Sequence, residues 1–170
     1  MDNVLINRVA SSGLVTINLE EFFPRESRKA FDLKDYLFHG LILKEKDFRE
    51  ALKAHDWNQY KGSTLLVFCS TDAIIPLWAY MLVASHAKGF AKDVFVGNEE
   101  AYLTEHYRQA AENLDLEQYE NAKLVIKGCS DQPVPPGAYA SFLFKLQSVA
   151  ASIMFGEPCS TVPVFKRPKE

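Results

Sequence analysis

The stretch "TLLVFCSTDAIIPLWAYMLVASHA", residues 64–87, decides the fold. Its first part, "STLLVFC" (63–69), is a short apolar run rich in strand formers, the pattern of a parallel strand buried on both faces. Turn residues follow, and residues 73–90 then predict a helix that is apolar almost all round and so buried against several neighbours. Asp72 is placed to cap that helix, and Pro76 falls in its first turn, where a missing N–H costs little. Cys69 stands where strand gives way to turn. Residues 124–140, "LVIKGCSDQPVPPGAYA", repeat the arrangement and put Cys129 at the same kind of place.

Working outward, "KDVFVG" (92–97) and "AKLVIKG" (122–128) read as two more strands, and "LVTINLEEF" (14–22) as an alternating one ended by Pro24. Asn98 can cap an amphipathic helix over 99–113, and a long apolar helix is expected over about 138–155. "DLKDYLFHGLI" predicts a short helix interrupted near Gly40, and "KEKDFREALKAHDW" another on the surface, with Phe48, Leu52 and His55 along one side. Strands alternating with helices argue for an α/β fold, one domain over residues 1–170 with a mostly parallel central sheet flanked by helices. Strand 63–69 is expected at the centre, with 92–97 on one side and 122–128 on the other.

With 48% hydrophobic and 24% charged residues the composition is that of an ordinary globular protein. A net charge of −3 and the lack of a Lys/Arg stripe argue against a nucleic-acid partner. The start "MDNVLINRVASSG" lacks the features of a signal peptide, and no apolar segment is long enough for a membrane span, so a bacterial-type cytoplasmic protein is expected. Cysteines at 69, 129 and 159 are odd in number and far apart, unlike a disulfide framework.

"CSTDAIIPLWAY" and "CSDQPVPPGAY" share Cys-Ser, then Asp, Pro and Ala-Tyr; duplication and chance similarity both account for this. The carboxyl end of a parallel strand, just before a helix, is where open α/β sheets bind ligands. The candidate site is therefore a crevice lined by Cys69, Ser70, Asp72, Cys129, Ser130 and Asp131. A helix over 138–155 would be about 27 Å long and would carry Cys159 to the opposite end of the sheet. The four residues after it return at most about 14 Å, which counts against one three-cysteine site in a single chain. His55 is expected to close a helix C-terminus, His86 and His106 to be structural or solvated, and Trp57 and Trp78 to anchor the core.

"NRVASSGL" (7–14), "GLILKEKDFRE" (40–50), "HDW" (55–57), "CSTDAIIPLWAYML" (69–82), "KGCSDQPVP" (127–135) and "GEPCSTVPVFKR" (156–167) together resemble a bacterial family known as domain of unknown function 2480. The resemblance covers nearly the whole chain. It supplies no catalytic assignment, but it puts Cys69, Cys129 and Cys159 all inside family motifs. Three functions stay open. One is a binding module that holds zinc or an iron–sulfur cluster through these three thiolates, with Ser70, Asp72, Ser130 and Asp131 lining the site. Another is a thiol-dependent enzyme acting on a small anionic or acyl compound. The third is an interaction protein with structural cysteines, whose apolar helices bury a homodimer contact.

Overall fold

The structure, a computed structural model, describes residues 7–9 (backbone only), 13–128, 131–157 and 160–168. The chain forms two compact units: residues 25–102 make an inserted unit, and residues 1–24 with 103–170 make an outer one.

In the inserted unit, β3 (Arg28–Asp32), β4 (Thr64–Phe68) and β5 (Asp93–Val96) form a three-stranded parallel sheet in that order. Between them run α1 (Glu45–Ala54) and α2 (Leu77–Ala87). Crossovers of one hand between strands in chain order put both helices on one face. There Phe48 and Leu52 of α1 and Ala79 and Val83 of α2 pack with Phe31, Leu65 and Val67. In the outer unit, β2 (Leu14–Asn18), β6 (Lys123–Lys127) and β7 (Ser152–Glu157) are parallel neighbours, with β1 (Asn7–Val9) and β8 (Ser160–Lys166) added antiparallel at the two edges. Its helices are α3 (Glu99–Glu112), which starts in the inserted unit, and α4 (Pro136–Leu146).

The two units resemble one another: elements and turn residues between Phe48 and Gly97 have structural counterparts 59 positions on, with the residue itself kept at a few of them. Asp56 and Asp115 each accept a backbone N–H two residues ahead, at 3.0 and 3.2 Å. Gln59 and Gln118 donate to the carbonyls of those same aspartates, at 2.8 and 3.1 Å. Tyr60 and Tyr119 follow, both buried. Gly62 and Asn121 then take left-handed backbone, and α2 and α4 start immediately after Pro76 and Pro135. Each helix buries one narrow stripe, Ala79, Val83 and Ala87 in one and Ala138, Phe142 and Leu146 in the other. The first strands correspond as well. Asp32 and Asn18 end them and accept from Lys34 and Glu20 N–H, and a wholly buried Leu33 or Leu19 follows. Agreement at these structural positions supports a duplication of the two units, in which the cysteines are one position out of step, Cys69 falling opposite Gly128.

An α/β class with mostly parallel strands and flanking helices is what the alternation predicts, and Asn98 caps α3 as expected, through Ala101 N–H at 3.0 Å. Four expectations are corrected. Strand β6 lies beside β2 and β7 and not beside β4, whose neighbours are β3 and β5. Helix α2 begins at Leu77 and not near Ala73, because the chain stays extended through Pro76; Asp72 is an exposed turn residue and caps nothing. Nor is α2 buried all round: Leu77 and Met81 are 81% and 72% exposed. The long helix over 138–155 is α4 followed by β7, so the chain returns along the sheet before reaching position 159.

Candidate functional site

Cys69 follows the central strand of the inserted unit. It is half-buried, and its Sγ lies 3.3 Å from Thr71 Oγ1. Ser70 N–H donates to Asp32 Oδ1 at 3.0 Å. Burial pushes the Asp32 carboxyl up, but hydrogen bonds from Ser70 and Lys34, with the Lys34 charge, outweigh it and hold the group below its usual range. In the outer unit, Asp131 N–H donates to Glu20 Oε1 at 3.0 Å, and the Asp131 side chain is exposed. Cys129, Ser130 and Cys159 lie outside the described residues. β4 and β6 belong to different sheets, so they are not the neighbouring strands expected to flank the crevice. Because α2 starts eight positions after Cys69, the thiol is not at a helix N-terminus. Among the described residues no three His, Cys, Asp or Glu side chains come together as metal ligands.

The path of the chain toward Cys159 differs from the one expected of a long helix. Strands β6 and β7 are parallel neighbours, and Lys127 and Glu157, each two residues before a cysteine, form an ion pair of 3.2 Å. The chain therefore approaches positions 129 and 159 from adjacent strand ends.

Two features escape sequence reasoning. The first is an array around His55 in the inserted unit, which combines Tyr36, Gln59 and Tyr60 with the rings of Phe31 and Trp57. Its one signal is "HDW". The partner Tyr36 is 19 positions away, and nothing in the sequence links the two. The 3-10 turns Leu33–Tyr36 and Trp57–Tyr60, which Asp32 and Asp56 cap, bring them together.

The second is a cleft of about 330 Å³ in the outer unit, between α4 and the sheet, lined by Pro136, Tyr139, Ala140, Leu143, Met154 and Val164 with parts of β6 and β7. Strand β8 supplies its outer wall. Ile153 pairs with Phe165 but Met154 pairs with Pro163, so Val164 is the extra residue of a bulge, and it faces the cleft. A bulge re-aims a side chain in this way, and Pro163, lacking an N–H, fits an edge strand. At the inner end Tyr139 packs edge-on against Phe155, centroids 5.6 Å apart. A Cβ at Gly128 would lie 3.0 Å from the Tyr139 hydroxyl, so the tyrosine packs directly against Gly128. The inserted unit has the same face, with Leu77, Met81 and Val96 at the matching positions. Among the described residues no strand follows β5 in its sheet, and those residues stand exposed.

The family model described as "Protein of unknown function (DUF2480)" matches residues 3–167. The chain belongs to this family. No curated protein and no solved structure matches it. Two stretches that carry the DUF2480 resemblance fall on the features above: "HDW" forms the histidine array, and "GEPCSTVPVFKR" includes the hairpin that walls the cleft. Among the described residues, no helix is long and apolar enough to cross a membrane.

Proposed function

We propose that this protein is a binding module for a small, uncharged apolar molecule, held in the cleft between α4 and the β6–β7–β8 sheet. The observation that carries the reading is the difference between the repeats. Both present the same apolar face, and among the described residues only the outer unit adds a strand with a bulge beside it. A volume of about 330 Å³ lies at the low end for ligand sites, and the lining is almost wholly carbon and sulfur. The chemistry on offer is an apolar surface, which suits binding. The fluorescent probe N-phenyl-1-naphthylamine should bind at one saturable site with a Kd on the order of 10 µM. Ala140 is exposed at the cleft, so Ala140→Trp should fill it without disturbing the core and abolish binding. Met81→Trp, at the matching position of the inserted unit, should leave the titration unchanged. Equal loss in both variants, or no saturable binding by the parent, sinks the reading.

A second reading keeps the thiolates as ligands for zinc or an iron–sulfur cluster. It is supported by the recurrence of the Cys-Ser turn in both repeats and by the adjacent strand ends that lead to Cys129 and Cys159. Structural zinc contributes on the order of 10 kcal/mol to folding. Purified protein should then carry metal by elemental analysis, a chelator should lower the melting temperature by many degrees, and Cys129→Ser and Cys159→Ser should each lose the metal. Metal-free protein with an unchanged melting curve in chelator removes this reading and leaves the cleft untouched.

A further inference from the structure

We infer that His55 is an acid-labile latch in the inserted unit, joining the 3-10 turns after β3 and before β4 only while its imidazole is neutral. The tautomer follows from the network. Gln59 Nε2 donates one hydrogen to the Asp56 carbonyl (2.8 Å) and turns the other toward His55 Nε2 (3.1 Å). Reversing that amide would set its oxygen against the Asp56 carbonyl. In the outer unit Gln118 is anchored to Asp115 in the same way with no histidine present, so the anchoring does not depend on His55. His55 Nε2 therefore accepts, from Gln59 and from the Tyr60 hydroxyl at 2.9 Å, and Nδ1 carries the proton and donates to the Tyr36 hydroxyl at 3.1 Å. A second proton on Nε2 would meet the Gln59 amide hydrogen.

The surroundings give an imidazolium little help. Phe31 of β3 and Trp57 pack edge-on against the ring, Tyr60 stacks on it, and His86 of α2 stacks on Trp57. Phe48 of α1 packs edge-on against Tyr36. The charge acting on the ring is that of Asp56, and it is outweighed: burial pushes the His55 pKa below the ordinary value, and burial, Tyr36 and Asp56 push Tyr60 up to about 12. Both ring nitrogens are engaged by the protein, so the array has no free group for catalysis. The repeat shows that the fold does not require it, since Phe22, Leu114 and Leu116 hold the places of Tyr36, His55 and Trp57 in the outer unit.

The sign follows from the depressed pKa. The unfolded chain binds the proton more readily, so the latch is fully formed above the ordinary histidine pKa of about 6.5 and is lost as the pH falls through the lower folded value. Hydrogen exchange of the full chain, corrected for intrinsic rates, is compared between pH 7 and pH 5. Protection of residues 31–37 and 55–61 should fall several-fold relative to the matching residues 17–23 and 114–120. Combined Tyr36→Phe and His55→Leu, which copies the outer unit, should remove that difference while His39, His86 and His106 remain. Parallel loss in both units, or an undiminished difference in the variant, overturns the inference. Should the variant not fold, the His55 ring proton followed by NMR in the parent decides: a midpoint below the ordinary histidine value upholds the latch, and an ordinary midpoint overturns it.

Discussion

Replacing Phe142 with alanine is expected to cost about 4 kcal/mol, the scale of a large aromatic removed from a closed core. Phe142 is 0% exposed, sits in the buried stripe of α4, and meets Phe22 edge-on with centroids 4.9 Å apart. Leu124, Leu146 and Ile153 are buried in the same cluster, and a hole at its centre cannot be filled by a small shift of one neighbour. Phe144, two residues on and 78% exposed, is the control: Phe144→Ala should move stability by no more than about 0.5 kcal/mol. Urea denaturation of both variants checks the pair. Similar costs for the two would mean that α4 does not present this face to the sheet.

Gly156→Ala should cost about 3 kcal/mol, because unfavourable backbone and a clash add at one position. Gly156 has φ of +118°, outside what side-chain-bearing residues adopt, and a Cβ there would lie 2.6 Å from the Ser160 carbonyl oxygen. That oxygen is backbone of β8 and can give way only if the strand moves. Gly13, at φ +64° with no atom within 4 Å of a Cβ, should cost only about 1 kcal/mol. Because β8 walls the cleft, Gly156→Ala should also weaken binding of the naphthylamine probe, which the Gly13 change should not. Thermal melts and a probe titration on the two variants separate strain at the hairpin from a general glycine effect.

Strands were legible where burial on both faces left an unbroken apolar run. Leu65, Leu66 and Val67 of β4 and Leu124, Val125 and Ile126 of β6 are all buried, and both strands are plain in the sequence. Strand β3 escaped because "RKAFD" buries Phe31 alone, too little for an alternating pattern. Helix α4 and strand β7 merged because "VAAS" carries neither Gly nor Pro to mark the turn, and the apolar texture runs through it. Asp72 imitated a helix cap because turn residues before an apolar run are also what an extended loop into Pro76 looks like.

The duplication was written in "DWNQY" (56–60) and "DLEQY" (115–119), yet only the cysteine turns stood out, since the rest of the repeat keeps roles and changes residues. Strand order was beyond reach: β2 joins β6 across more than a hundred residues, and no local feature of either strand specifies the partner. The cleft was hidden for a related reason. Its wall depends on which residue of "STVPVFK" a bulge turns inward, and pairing decides that.

The most direct test of the proposed binding site is a set of intermolecular NOEs between N-phenyl-1-naphthylamine and methyl-labelled protein. The account predicts contacts from the probe to the methyl groups of Leu143, Ile153, Met154 and Val164, all on the cleft, and none to Leu77, Met81 or Val96. Contacts spread over both sets, or confined to the exposed face of the inserted unit, would contradict it.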